Sequence, residues 1–339
     1  VGQPVPITEK VGNDSYAGFF SASSSGTLTY RHGDTRQRQL VWLDRKGDRV
    51  GTAGEPALFG GGFRISPDGQ RVAVEINENG NSDIWVLGLT NSSRTRLTFD
   101  PRPDGWPIWS PDGKFVFFRS ERVSTPCREG TWCGDGLYRV PADGSAADEV
   151  LFHSEFEKYP LDWSSDRKYL IFATNRGGSL FDLLLLSIAD RKAHQWLATK
   201  HNEWFGRISP DGRWMAYRSN EHGSDEVLVR PFKGPTAEGT EPPGGRWQVS
   251  RTGVFPIWRA DSRELLYIAS NRDLMSVKVS FSSGSSFDFE PPQKLFTLPT
   301  ETSFEVAENG SRILAFLPDE RSMSSPITVV LNWEAMLLR

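Results

Sequence analysis

The chain is expected to be all-β, a seven-bladed β-propeller of four-stranded antiparallel blades. Three observations carry that expectation: a turn motif that returns at a near-constant interval, a short alternating apolar strand after each return, and 32 Gly and 12 Trp among 339 residues. Ser66-Pro67-Asp68-Gly69, Ser110-Pro111-Asp112-Gly113 and Ser209-Pro210-Asp211-Gly212 are three clean copies of the turn. Degenerate copies fall in phase at Ser23-Ser24-Ser25-Gly26, Ser164-Ser165-Asp166-Arg167, Arg259-Ala260-Asp261-Ser262 and Ala307-Glu308-Asn309-Gly310. Their last positions, 26, 69, 113, 167, 212, 262 and 310, define seven units of about 47 residues.

Each motif has the chemistry of a tight hairpin rather than of a catalytic group. Proline fixes φ, aspartate bonds to nearby backbone, and glycine accepts positive φ. A strand ending in a bulky apolar residue precedes the turn, as in Trp106-Pro107-Ile108-Trp109 and Phe255-Pro256-Ile257-Trp258. In the second unit the following strands cover Arg71 to Glu75, Asp83 to Leu89 and Thr95 to Phe99. Four such strands cannot bury both faces alone, so neighbouring units must stack around an axis. The expected units are 13–56, 57–100, 101–154, 155–200, 201–250, 251–299 and 300–339, all within one domain spanning 1–339. The last unit has Phe304 to Val306, Arg312 to Leu317 and Pro326 to Trp333 but no outer strand. The Pro-rich stretch Gln3 to Lys10, within residues 1–12, is expected to supply it and so remove an exposed edge. Six blades is the alternative, because a terminal motif can belong to an incomplete unit.

Composition narrows the function classes. With 39 basic and 43 acidic side chains the chain lacks the strongly basic face of a nucleic-acid partner. Its apolar-rich segment Phe181 to Ala189, interrupted by Asp182 and Ser187, is less than half of a membrane span, so no membrane contact by the domain itself is expected. A tether or targeting segment would lie upstream or have been removed. Cys127 and Cys133 are the only cysteines; a local disulfide would fit an oxidising compartment, and two reduced surface thiols are the alternative.

The Ser-Pro-Asp-Gly hairpins, the apolar strand with a following Asn/Gly/Asp loop, and an outer strand ending in Leu97-Thr98 resemble TolB-like propeller repeats over essentially the whole chain. Ile327-Thr328-Val329-Val330-Leu331-Asn332-Trp333 is similar to the end of propeller domains joined through a membrane helix to bacterial serine/threonine protein kinases. That second resemblance implies an extracytoplasmic sensor or interaction module, periplasmic or at the cell surface. The chain itself has no Gly-rich loop followed by His-Arg-Asp. Propellers host many activities, so the repeat speaks for architecture more than for function.

Candidate sites come from the positions where the repeats disagree. Aligning the turns places Ser21, Arg64, Ile108, Asp162, Arg207, Ile257 and Glu305 in equivalent places beside the axis. Charges there must meet water, a ligand or one another. Arg64 and Arg207, with Asp162 and Glu305, are therefore either channel-lining ion pairs or the holders of a small polar or anionic ligand. The interblade connections carry Tyr16, Phe59, Trp106, Tyr159, Trp204, Phe255 and Phe304. These are either packing residues or a stacking rim, with Trp106, Tyr159 and Trp204 the best candidates for contact with a ligand. Trp132, between the cysteines, is a candidate partner contact.

The polar loops Asn77 to Asp83, Asn175 to Gly178 and Asn220 to Asp225 could offer oxygens to calcium, but their spacing is not that of an EF-hand and turn chemistry accounts for them, so no cofactor or metal is expected. The five histidines read as residues of loops, interblade connections or an outer strand, and there is no nucleophile elbow, Walker loop or His-Glu-x-x-His. The expectation is a non-catalytic binding or sensing module for a protein partner or small polar ligand at the interblade-loop face. A propeller lyase or hydrolase acting on a carbohydrate or small polar substrate in the channel, and a pure protein-interaction scaffold, are the alternatives.

Overall fold

The turns close as the motif requires. In the computed structural model, which describes residues 20–23, 25–31, 37–122, 125–128, 131–133, 135–175, 180–280, 286–300, 302–307, 310–319, 327–331 and 333, the Ser66 hydroxyl donates to Asp68 at 2.5 Å and accepts from the Arg71 amide at 2.9 Å. Asp68 also accepts from the Gln70 amide at 3.0 Å, and Gly69 takes φ +71°. The same set recurs around Ser110, Ser164 and Ser209. Where glycine is missing the chain still enters the left-handed region, at Arg167 (φ +60°) and Ser262 (φ +61°).

Six of the seven motif hairpins join the first two strands of an antiparallel blade of four or five strands. The first blade is Phe59–Ile65, Arg71–Glu78, Asn81–Gly88 and Arg94–Arg96. The second is Asp104–Trp109, Phe115–Ser120, Asp135–Pro141 and Glu149–Ser154; the third is Lys158–Trp163, Tyr169–Thr174, Asp182–Ser187 and Ala193–Leu197. The fourth is Trp204–Ile208, Trp214–Ser219, Glu226–Pro231 and Trp247–Gln248. In the fifth, Val254–Trp258, Glu264–Ile268 and Asp273–Ser280 are followed by Asp288–Phe289 and Gln293–Thr297, both paired to the third strand. The sixth combines Phe304–Ala307 and Arg312–Pro318 with Arg38–Asp44 and Arg49–Ala57 from the other end of the chain.

Second strands are apolar on both faces and alternate between two cores. Val72, Val74 and Ile76 pack towards the sixth blade, whereas Ala73 packs towards the second. Leu170 and Phe172 face the second blade, while Ile171 and Ala173 face the fourth. Ile313, Ala315 and Leu317 meet the fifth blade, and Leu314 and Phe316 meet the first. One apolar cluster therefore lies in each gap, and the inner strand Phe304–Ala307 neighbours Phe59–Ile65, closing the ring.

The described residues thus arrange as six blades, which corrects the seven-bladed expectation in favour of its alternative. The seven hairpins exist, but Phe20–Ala22 and Thr27–Arg31 pair with Ile327–Leu331 in a separate three-stranded sheet. The physical reason lies in Arg38–Asp44: Leu40 and Trp42 fill one interblade core and Val41 and Leu43 the next, so this strand belongs inside the stack. Ile327–Leu331 leaves Ile327, Val329 and Leu331 exposed and suits a sheet with a single neighbour. Closure consequently uses two N-terminal strands, with Arg49–Ala57 in the outer position; Gln3 to Lys10, expected there, lie outside the described residues.

Candidate functional site

The inner strands carry register shifts where they face the axis, opposite Phe117/Arg119 in the second blade and at Trp204/Arg207 and Val254/Ile257 in the fourth and fifth. At these bulges Trp106, Phe205 and Phe255 take φ values of +56°, +53° and +55°. A bulge re-aims side chains. Trp106 lies across Gly61 and Gly62 of the first blade, where a Cβ would come within 3.1 and 3.4 Å of its indole. Phe205 meets Phe255 with ring centroids 4.2 Å apart, and Trp106 makes edge contacts with Tyr159 (5.3 Å) and Trp204 (6.0 Å). Between these rings and the charged residues below, a cavity of only 20 Å³ remains. The channel is therefore closed on the interblade-loop side by side chains.

The aromatic residues proposed from sequence are placed in this plug and the cores around it. Trp204 is buried, Trp106 and Tyr159 are half-buried, and all three share one packed cluster with Phe181. Tyr159 is also covered by the Arg119 guanidinium at 4.5 Å, and its hydroxyl bonds Glu157 at 3.2 Å. Burial pushes the Tyr159 phenol above its ordinary value. This arrangement differs from an open stacking rim. Phe59 and Phe304 are core residues, and Tyr16 lies outside the described residues.

The four charged positions do converge. Arg64 donates to Glu305 Oε1 at 2.9 Å and crosses the axis to the Leu161 carbonyl at 3.0 Å. Arg207 reaches the same Glu305 oxygen at 2.7 Å. Asp162 accepts from the Ile208 amide at 2.8 Å. Two guanidiniums thus share one carboxylate. Burial and the neighbouring Arg207 charge bring Arg64 down to about 10, and burial raises Asp162 despite both arginines.

These side chains form the floor of a pocket of 390 Å³ whose walls include Pro67, Pro111, Ser165, Arg167 and Pro210 from the hairpins. The charged channel residues therefore open on the hairpin face, opposite to the face expected from sequence. The anchor tryptophans hold the wall: Trp109 Nε1 donates to the Arg64 carbonyl at 2.9 Å and Trp258 Nε1 to that of Arg207 at 3.0 Å. Trp132 sits in a hairpin of Thr125–Arg128 with Thr131–Cys133, which brings the strands carrying Cys127 and Cys133 together; the side chains of these three residues lie outside the described ones.

One recurring group escaped the sequence reading. An acid opens or lies near the start of the third strand in five blades, at Asp83, Asp135, Asp182, Glu226 and Asp273. Asp83 pairs with Arg96 at 2.7 Å, Asp135 with Arg119 and with Lys158 at 3.5 Å, and Asp273 with Lys294 at 2.8 Å. Burial still holds Asp135 up at about 6. The recurrence of an acid directly before an apolar run was the available signal.

A model of the TolB beta propeller domain matches residues 25–230. An uncharacterized protein of Agrobacterium fabrum is 27% identical over 161 residues, covering 46% of this chain and 49% of that protein. The Tol-Pal system protein TolB of Anaeromyxobacter dehalogenans is 35% identical over 83 residues, 24% of this chain and 18% of that protein. The chain thus spans about half or less of the length of these curated relatives. The solved structure of a putative TolB from Agrobacterium tumefaciens superposes with a TM-score of 0.60 at 16% identity, over 84% of this chain and 99% of that one, a likeness of fold. With a family match over more than half its length, a ring of hairpin-led blades and a closed apolar stack, the chain belongs to the TolB beta propeller domain family.

Proposed function

We propose that this propeller is a non-catalytic, extracytoplasmic binding and sensing module whose partner places an anionic group of a peptide or small polar molecule in the hairpin-face pocket. The observation that carries the proposal is the sharing of Glu305 by Arg64 and Arg207 on the floor of a 390 Å³ cavity. Arg167 adds a third guanidinium to the lining, against the two carboxylates Asp162 and Glu305, and the raised proton affinity of Asp162 weakens the negative side further. An incoming carboxylate would gain bidentate, charge-assisted bonds in a wall held by Trp109 and Trp258. A protein as the source of that group is supported by family membership and by a relative named for the Tol-Pal system. The extracytoplasmic location is supported by the same relationship and by the closely spaced Cys127 and Cys133.

The test is fluorescence anisotropy with labelled peptides presented as free C-terminal carboxylates and as amides. Carboxylates should bind more tightly, and Arg207→Ala should weaken them by about tenfold, the equivalent of one charge-assisted bond. Equal binding of acid and amide forms, or an unchanged affinity in Arg207→Ala, would sink the pocket assignment.

A further inference from the structure

We infer that the loop joining the second and third strands of the fourth blade is a site for a first-row divalent cation, held by Glu221, His222 and Glu226. Their ligating atoms all lie within 4.8 Å of one another. His222 Nδ1 stands 2.5 Å from Glu226 Oε1 and 3.6 Å from Glu221 Oε1. The second of these separations already suits two ligands of one tetrahedral ion, whose bonds to nitrogen and oxygen are about 2.0–2.2 Å. The first opens by about 1 Å when a cation replaces the hydrogen bond.

The outer oxygens of both carboxylates are already fixed. Arg246 donates to Glu221 Oε2 at 2.5 Å, and Gln248 donates to Glu226 Oε2. Each carboxylate is thereby oriented by a neighbour from the outer edge of the same blade while its other oxygen faces the histidine, the arrangement by which outer-shell groups preset metal ligands. A separate observation points to something bound there. Glu221 Oε1 is shielded from solvent and has no hydrogen-bond partner, an expensive state for a carboxylate oxygen.

Negative charge also accumulates around the loop. Glu203, on the connection entering the same blade, is 1% exposed with Oε2 unpartnered, and it adds a carboxylate near those of Asp182 and Glu221. A cation would relieve that repulsion. One imidazole nitrogen with two carboxylate oxygens is a donor set for zinc or manganese rather than for calcium, which takes oxygen alone. In this role His222 presents its Nδ1 lone pair and carries its proton on Nε2. Ser224 and Asp225 of the same loop line a 440 Å³ pocket with Phe205 and Phe255 on the interblade face, so the ion would fix a wall of that pocket. Turn chemistry accounts for Asn220 and Gly223 but gives the histidine no role.

The experiment is isothermal titration calorimetry of the full chain with zinc chloride and with manganese chloride, alongside thermal melts, with folding of every variant checked by circular dichroism. One zinc ion per chain and a raised melting temperature are expected. His222→Ala and the isosteric Glu221→Gln should each weaken zinc by about tenfold or more, and Arg246→Ala by a smaller factor. His201→Ala, a histidine outside the cluster, should leave the affinity unchanged. Failure of both metals to bind overturns the inference. So does zinc binding that survives His222→Ala and Glu221→Gln, because the ion would then sit elsewhere.

Discussion

At the scale of the residue, the hairpin motif shows why four side-chain types recur together. Serine accepts from one amide and donates to aspartate, aspartate accepts a second amide, and the fourth residue must enter the left-handed region. A Cβ placed on Gly69 would meet nothing within 4 Å, so Gly69→Ala tests the backbone conformation alone. It should destabilise the protein by about 1 kcal/mol in urea denaturation. No measurable change would mean that the left-handed conformation is not enforced there. Arg167 holds the same conformation with a side chain, and that side chain lines the channel pocket.

At the scale of the element, the inner strands do two opposite things along a few residues. Their bulges throw Trp106, Phe205 and Phe255 over one mouth of the channel, while the residues nearer the hairpin, Arg64, Asp162, Arg207 and Glu305, bring charge to the other. A fixed offset from each aligned turn made the four charged positions legible, because equivalent places in a repeat share an environment. It did not reveal which mouth they face. A one-residue bulge shifts the register of everything before it, and the glycine pair Gly61-Gly62 that receives the Trp106 indole belongs to a different blade. Trp106→Ala should cost about 2–4 kcal/mol by chemical denaturation and open the channel. If the loss is negligible, the indole is a surface rim residue and not a plug. Gly61→Val should approach the same loss, since its side chain would occupy the indole's place.

At the scale of the whole molecule, buried acids and hairpin acids pull stability in opposite directions with pH. Burial raises Asp104 and Asp135 to about 6 and Glu203 to about 7, so the folded state binds their protons more tightly than the unfolded chain does. Their contribution therefore improves as pH falls from 8 through these values. Asp261, drawn to about 2 by its bonds from Arg259, and the lowered hairpin residues Asp68, Asp112, Asp166 and Asp211 act the other way and lose stabilisation below the ordinary carboxylate range. The melting temperature should rise by about 2–4 °C from pH 8 to a maximum near about pH 5 and then fall. A monotonic decline from pH 8 to 5 would contradict the burial of these three acids.

The sequence by itself determined the seven motif turns, the all-β class, the period and the four charged positions at the axis, because each rests on local chemistry: a turn, an alternation, a repeated offset. Tertiary structure alone decided the number of blades in the ring. Thr27–Arg31 and Arg38–Asp44 are both strands near the N-terminus, yet only the second is apolar towards two neighbours and pairs with Arg312–Pro318, more than 250 residues away. Seven turns could thus lead to six blades. A turn motif specifies a hairpin, whereas membership of the ring depends on burying both faces of a strand against sheets that the distant ends of the chain supply.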